Sequence, residues 1–411
     1  MNKNSIRNKE YFKISLLLLS NGISSIGDYI YLVAINIDIL KRTHSALLVS
    51  TIWAIPYITS ILTKFWSGSV ADRCNKKVIM ILINILNCAV LILMVAFPNI
   101  LIIYILMFLL NIGISIYNSI SLPYITENIS ENRRKRFNSI RGMLTNGSVV
   151  IGPAVSGIIL AISSASTAII INAISFFISA FLLIFMPKYK IVIESQKTVH
   201  KNILKSLVDD WKKSYTFMIY ENFKFAIFNF LAVAIIVIGV ALDSQEVVFA
   251  TRILNLSSSE YSILFMIAGV GYVLGSIIIM AFANKISTNN LLKFGIIFSA
   301  LGFFIYSISN SLIMAIIGFI ILGIFQSMFN TGYISILQEI IPIKIFGRIL
   351  SSISFFQSIL TIISIVCIGA LSEYFNIRYV VVASTIMIFI FSTVMFYTIT
   401  VNQKNETLSS N

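Results

Sequence analysis

Charge is scarce in this chain. Asp, Glu, Lys and Arg together make up 11% of 411 residues, against roughly a quarter in an ordinary soluble domain. So few charges cannot clothe a surface of that size, and a water-soluble globular fold is excluded. Cysteine is scarcer still: Cys74, Cys88 and Cys367 lie far apart without C-x-x-C spacing, which removes a disulfide framework and a thiolate metal site. His44 and His200 are isolated between apolar runs and leave no imidazole set for catalysis or metal binding. No G-x-x-x-x-G-K-[ST] loop is present, so nucleotide hydrolysis by this chain is not expected. No cofactor or metal is expected, and no set of nucleophile, base and orienter is legible, so an enzyme is not expected either. The net charge is +14, but the cations fall between apolar runs rather than on a folded basic face, which argues against a nucleic-acid partner.

What the chain has in abundance is hydrocarbon. Hydrophobic residues make up 58% of it, and apolar runs near the roughly 20 residues needed to cross a bilayer recur along its length. The first, Phe12 to Ile37, is too long for a signal-peptide core and is read as a retained span. Runs bounded by charges, Pro, Gly or Asn predict spans at 12–38, 46–68, 77–97, 99–123, 142–162 and 166–187. A second set follows at 224–250, 259–283, 290–309, 311–336, 349–372 and 378–401. With the N-terminus inside, 26 of the 30 Lys and Arg face the cytoplasm and only Lys41, Arg42, Arg252 and Arg378 face out. The positive-inside rule then places both termini in the cytoplasm, with lipid as the surrounding medium.

The predicted fold is all-α and membrane-integral, with twelve transmembrane helices in two pseudo-symmetric bundles. Residues 1–187 form the first bundle, 188–223 a cytoplasmic linker and 224–411 the second. In the linker Ile203, Leu204, Leu207, Val208, Trp211, Tyr215 and Met218 recur at helical spacing beside Lys201, Lys205, Lys212 and Lys213, the pattern of a helix lying on the inner leaflet. A shift of 212 residues pairs Ala71, Asp72 and Arg73 with Ala283, Asn284 and Lys285. It also pairs Ser115 and Asn118 with Ser327 and Asn330, and Glu127, Arg136 and Ser139 with Glu339, Arg348 and Ser351. One constant offset implies an internal repeat.

Between spans 2 and 3 the chain reads Gly68, Ser69, Val70, Ala71, Asp72, Arg73, Cys74, Asn75, Lys76, Lys77. This resembles the G-x-x-x-D-R-x-G-R-R signature of the major facilitator superfamily. Asn75 replaces the signature glycine, which leaves the tight turn possible because Asn tolerates a left-handed backbone. Lys76 and Lys77 keep the charge of two arginines without their bidentate geometry. Gly152, Pro153 and Gly157 in span 5 are similar to the G-P-x-x-G-G element of antiporters. Ser25 to Asp28, and Gln338, Glu339, Pro342, Gly347 and Arg348, resemble the macrolide-efflux branch of drug:proton antiporters.

The resemblance implies a secondary transporter whose partners are a small-molecule substrate and protons. It implies proton-coupled efflux of a drug, antibiotic or secreted metabolite across the plasma membrane by rocking of the halves, as a monomer. It assigns Gly68, Asp72, Arg73, Lys76, Lys77, Glu127, Arg136, Glu339 and Arg348 to a conformational gate, with Asp72 facing a helix end and the basic residues near Arg133 to Arg136. The alternatives of the same fold are a nutrient or lipid transporter and a non-transporting sensor or scaffold.

From the residues themselves, Asp28 in span 1 is the first candidate for proton coupling, because an intramembrane carboxylate needs water or a partner. Asp243 and Glu246 in span 7 are the others, three residues apart and expected on one helical face. No Lys or Arg inside a span offers these acids a partner. If Asp28 and Asp243 face one cavity, protonation trades with substrate occupancy. Amides inside the spans, Asn21, Asn36, Asn118, Gln326 and Asn330, are candidates for substrate contact or for helix–helix hydrogen bonds. Tyr29, Tyr31, Phe325 and Phe329 are candidates for aromatic walls. Gly269, Gly271 and Gly275 are read as a helix-packing face.

Overall fold

The structure is a computed structural model that describes residues 3–64, 75–129, 131–186, 212, 216–282, 285–342 and 345–409. The first half carries α1 Lys3–Thr43, α2 Ala46–Lys64, α3 Lys76–Ala96, α4 Ile100–Asn128, α5 Glu131–Ile162 and α6 Ala165–Ile184. A π-helical turn, Thr216–Glu221, leads into α7 Phe223–Asp243 and a short α8 Glu246–Arg252. Then come α9 Ser258–Ala281, α10 Thr288–Ser307, α11 Leu312–Ile340, α12 Phe346–Tyr374 and α13 Ile377–Ser409. Twelve of the described helices are long and apolar enough to cross a membrane, and no strand occurs among the described residues. Helix is the form a single segment must take in hydrocarbon, because it alone satisfies its own backbone donors and acceptors. The protein is an all-α, multi-pass membrane protein.

Polar residues mark where the helices begin. Asn75 caps α3 by accepting from Val78 N, Asn99 caps α4 through Leu101 N, Ser287 caps α10 through Asn290 N, and Ser311 caps α11 through Met314 N. Each supplies an acceptor to the orphan donors of a first turn. The Asn75 backbone is extended, φ −69° and ψ 102°, so the left-handed conformation that Asn tolerates is not used and Asn stands at this position as a helix cap. Span 7 is corrected. The expected single helix over 224–250 breaks after Asp243 and restarts at Glu246, because Gln245 N turns back to Leu242 O in a tighter turn. Asp243 and Glu246 therefore belong to two helices rather than to one uninterrupted face.

The chain divides into two compact units, residues 1–193 with 255–269, and residues 194–254 with 270–411. In unit 1, α1 packs on α5 and α6, α3 on α4 and α6, and α2 on α4. Its core is closed by Leu17, Met80, Ile120, Tyr124, Phe137 and Leu183. Lys77 closes one end: its Nζ donates to the carbonyls of Ile184 at 2.7 Å and of Met186, placing a cation on the unpaired carbonyls that end α6. The first residues of α9 also join unit 1, with Ser259 Oγ donating to Gly157 O at 3.3 Å. In unit 2, α10 packs on α11 and α13, and α7 on α12 and α13. The linker residues 188–211, the signature residues 65–74 and the pair Ala283–Asn284 lie outside the described residues.

The internal repeat has a structural counterpart. In unit 1 the hydroxyls of Thr63 on α2 and Ser115 on α4 share a hydrogen bond of 2.5 Å. In unit 2 the hydroxyls of Ser276 on α9 and Ser327 on α11 share one of 3.0 Å. Ser327 is the partner of Ser115 at the 212-residue shift, so both units tie corresponding helices with the same chemistry.

Close helix approach in unit 2 depends on glycine, as expected for a packing face. A Cβ on Gly271 would lie 2.9 Å from Ile320 O, and one on Gly275 would strike Ile324. Along α10 and α11, a Cβ on Gly302 would lie 2.5 Å from Leu322 N, and one on Gly318 2.9 Å from Tyr306 N. Those neighbours are backbone and cannot rotate away. Gly302→Ala is therefore expected to destabilise the detergent-solubilised protein by about 1–3 kcal/mol. Gly147→Ala, where nothing lies within 4 Å, is expected to be neutral or stabilising. The melting temperatures of the two variants check this, and equal melting points would contradict it.

Candidate functional site

Unit 1 contains a cavity of about 220 Å³ among α1, α3, α4, α5 and α6. Helix α1 supplies Asn21, Ser24, Ser25 and Asp28, which recur at i, i+3, i+4 and i+7 and so share one helical face. Helix α3 adds Asn84 and Asn87, α4 adds Ile114, Tyr117 and Asn118, α5 adds Arg141 and Thr145, and α6 adds Phe176. Except for Ile114 and Phe176 the lining residues are of polar type, although these helices are long and apolar enough to span a membrane.

Asp28 sits near the middle of α1, and Asn172 Nδ2 on α6 donates to its Oδ1 at 3.4 Å. Asn172 is held in turn by Ser175, whose hydroxyl reaches both its carbonyl and its side-chain oxygen, at 2.8 and 2.9 Å. Gly27 makes this possible, because a Cβ there would collide with Asn172 and Ser175. Two turns earlier on α1, Asn21 Oδ1 accepts from Tyr117 Oη at 3.3 Å. Tyr117 lines the cavity with Arg141, and a hydroxyl–amide network of Ser20, Ser179 and Asn84 adjoins it. Within it Ser20 and Ser179 hydroxyls lie 2.7 Å apart and Asn84 Nδ2 donates to Ser179 Oγ at 2.9 Å.

The cavity thus has a cationic end, at Arg141 with Tyr117 and Asn21, and a carboxyl end at Asp28. No ion pair within 4 Å joins Asp28 and Arg141 among the described residues; Arg42 and Asp38 form such a pair at 2.8 Å elsewhere on α1. Asn87 is 2% exposed, packs into the space left by Gly113, and has an amide nitrogen without a partner among the described residues, as does Asn21.

The other sequence-selected residues fall elsewhere, apart from Asn118, which lines this cavity. Asn36, 1% exposed, is spent on its neighbours: Nδ2 donates to Leu32 O at 2.7 Å and Oδ1 accepts from Trp53 Nε1 at 3.0 Å. Gln326 and Asn330 lie on α11 in unit 2. Asp243 ends α7 and Glu246 begins α8, both in unit 2; Glu246 is buried and its carbonyl accepts from Tyr306 Oη at 3.3 Å. Gly152 lets α5 press against Tyr29 and Ile26 of α1, and Gly157 accommodates Ser262 of α9, so the helix 5 element around Pro153 is a packing surface on both sides. Glu339 accepts from Thr288 Oγ1 at 3.3 Å, and Arg348 sits in the first turn of α12. Lys76 is buried in the first turn of α3. Gly68, Asp72 and Arg73 lie outside the described residues, as do the side chains of Glu127 and Arg136. Tyr31 is buried with its hydroxyl toward Met94 Sδ, Phe325 stacks on Phe298 and Phe329 is fully buried.

Arg141 is the residue whose position the sequence misplaces. Along the chain it reads as part of the cytoplasmic loop before span 5, yet α5 runs from Glu131 without interruption and a candidate span begins at Ile140. An arginine therefore does line the cavity that holds Asp28. Asn84 and Asn87 are absent from the sequence candidates, although two amides three residues apart in the apolar run 76–96 mark a buried polar face.

Comparison with known proteins agrees with this architecture. The chain is similar over 92% of its length, at 21% identity, to a Bacillus subtilis (strain 168) protein described as "Uncharacterized MFS-type transporter YfiS", covering 90% of it. It is 26% identical over 183 residues to the Staphyloferrin A transporter of Staphylococcus aureus (strain NCTC 8325 / PS 47), which is 42% of this chain and 44% of that one. Among solved structures, the nucleoside transporter NupG superposes with a TM-score of 0.70 at 13% identity, covering 94% of this chain and 98% of that one. A POT family transporter in complex with 5-aminolevulinic acid does so with a TM-score of 0.73 at 13% identity, covering 93% and 95%. At such identities the structures share the fold alone. The family described as Major Facilitator Superfamily matches residues 17–242 and 223–410; this chain belongs to that superfamily and is a membrane transporter of its type.

Proposed function

We propose that this protein exports a small molecule across the plasma membrane in exchange for protons, by alternating access, with both termini in the cytoplasm. The observation that carries the reading is Asp28 facing a polar cavity from the middle of an apolar helix. A carboxylate in such a place needs a proton, or a cation or donor in front of it. When one acceptor serves both, binding of the substrate and binding of the proton exclude each other, and that exclusion links the two flows. The cytoplasmic bias of Lys and Arg supports the orientation. The gate assigned to Asp72, Arg73 and their neighbours rests on the signature resemblance. Lys77, the last residue of that signature, closes the end of α6 in the unit that holds the cavity.

Growth-inhibition profiling of a strain lacking and then overproducing the protein tests the direction of transport. Raised tolerance on overproduction supports export, whereas compound-dependent growth supports uptake of a nutrient instead. With a compound so identified, Asp28→Asn is expected to abolish substrate-driven proton flux in reconstituted vesicles while the variant still folds, and unchanged flux would remove Asp28 as the carrier. Asp72→Asn is expected to slow export severalfold at normal surface abundance, the loss of about 1 kcal/mol of charge–helix-end attraction. Normal export at normal abundance would remove the gate.

A further inference from the structure

The cavity lining is more specific than a site for apolar drugs requires. Its two ends carry groups of opposite ionic type, the Arg141 guanidinium at one and the Asp28 carboxyl at the other, without an ion pair between them among the described residues. Left alone in a partly buried cavity, each charge is poorly solvated, and both gain from an occupant with the complementary pole. At the Arg141 end the unsatisfied group is a donor, the amide nitrogen of Asn21, and the almost fully buried amide of Asn87 elsewhere in the lining is a second donor without a partner among the described residues. A donor left without a partner destabilises the empty state, and an acceptor-rich group relieves it. Asn21 and Asp28 stand seven residues apart on one face of α1, so the two ends are separated by about 10 Å along the helix axis.

We infer that the substrate is a small dipolar molecule with a carboxylate or similar anionic group for Arg141 and Asn21, and an ammonium or other donor about 10 Å away for Asp28. The inference deepens the export reading and rests on it for the word substrate, but the binding chemistry stands on the cavity alone. Each end contributes separately. The anionic pole is held at Arg141 in either protonation state of Asp28, and the cationic pole is the part that a proton on Asp28 displaces. Hydrophobic cations satisfy only one end and leave Arg141 and the donor of Asn21 unmet, and neutral apolar compounds satisfy neither.

Ligand-induced thermal stabilisation of the purified full chain tests this without a proton gradient, since binding to the folded state raises the melting temperature by mass action. The probes are triglycine, whose extended length is about 10 Å, and its amide, N-acetyl and doubly blocked forms, with the same four forms of 6-aminohexanoate and with ethidium as a hydrophobic cation. The dipolar forms are expected to stabilise the wild type most. Arg141→Gln is expected to weaken their binding about tenfold or more, Arg141→Lys to retain most of it, and the amide forms to be indifferent to the Arg141→Gln change. The inference is overturned if neither dipolar probe stabilises the protein, if the amides, blocked forms or ethidium do so equally well, or if Arg141→Gln binds the dipolar probes as the wild type does. Dipolar binding without proton-driven flux would remove the coupled-export reading and leave the site. Proton-driven export of a cationic or apolar compound, with no dipolar binding, would do the reverse.

Discussion

Polar atoms carried into an apolar phase must find a partner there, because lipid supplies none and the alternative costs several kcal/mol per group. In this chain that constraint acts at two levels. The backbone meets it by folding into helices whose bonds are internal to each segment. The side chains meet it by aligning on inward faces, where polar groups of different helices pair: Thr63 with Ser115, Ser276 with Ser327, Ser179 with both Ser20 and Asn84, Trp53 with Asn36. Outward faces are left to Leu, Ile and Phe, as on α3 at Leu82, Leu86 and Leu93. Packing then depends on residues small enough to bring these partners together, which is why Gly27, Gly113 and Gly302 each stand where a Cβ would meet a neighbouring helix.

The cavity is the place where the pairing is incomplete. Asp28 has one long hydrogen bond from Asn172, and the amide nitrogens of Asn21 and Asn87 have none among the described residues. Elsewhere in unit 1 comparable groups are satisfied, Asn36 most fully. Unspent hydrogen-bonding capacity gathered in one cavity distinguishes a site from a set of structural polar contacts. It also separates Asn118, which faces this cavity, from Asn36, which the sequence ranks beside it.

Much of the fold is legible along the chain. Twelve apolar runs, the bias of Lys and Arg, and the 212-residue repeat each follow from residue types at fixed spacing. The departures come where local chemistry competes with a pattern. Asn75 reads by analogy with a turn glycine but acts as a helix cap, since its side-chain oxygen reaches the first turn of α3. Span 7 reads as one helix because its apolar run continues through Val247 to Ala250, whereas the backbone tightens at Ser244 and Gln245 and starts again. Of the site, Asp28, Asn21 and Asn118 are legible as polar residues inside spans. Arg141 is not, because it follows closely on the cations at 133–136 and reads as part of their loop until α5 is seen to run through it.

By itself the sequence determined the medium, the number of crossings and the two-fold repetition, because these depend on composition and on periods shorter than one helix or constant over the chain. Only the tertiary structure decided which polar residues meet. Asp28, Asn87, Tyr117 and Arg141 come from four helices and lie up to 113 positions apart, from 28 to 141. Their convergence is set by the rotation of each helix about its axis and by close approach at glycine, quantities that no single helix's sequence fixes, because they depend on the helix it packs against.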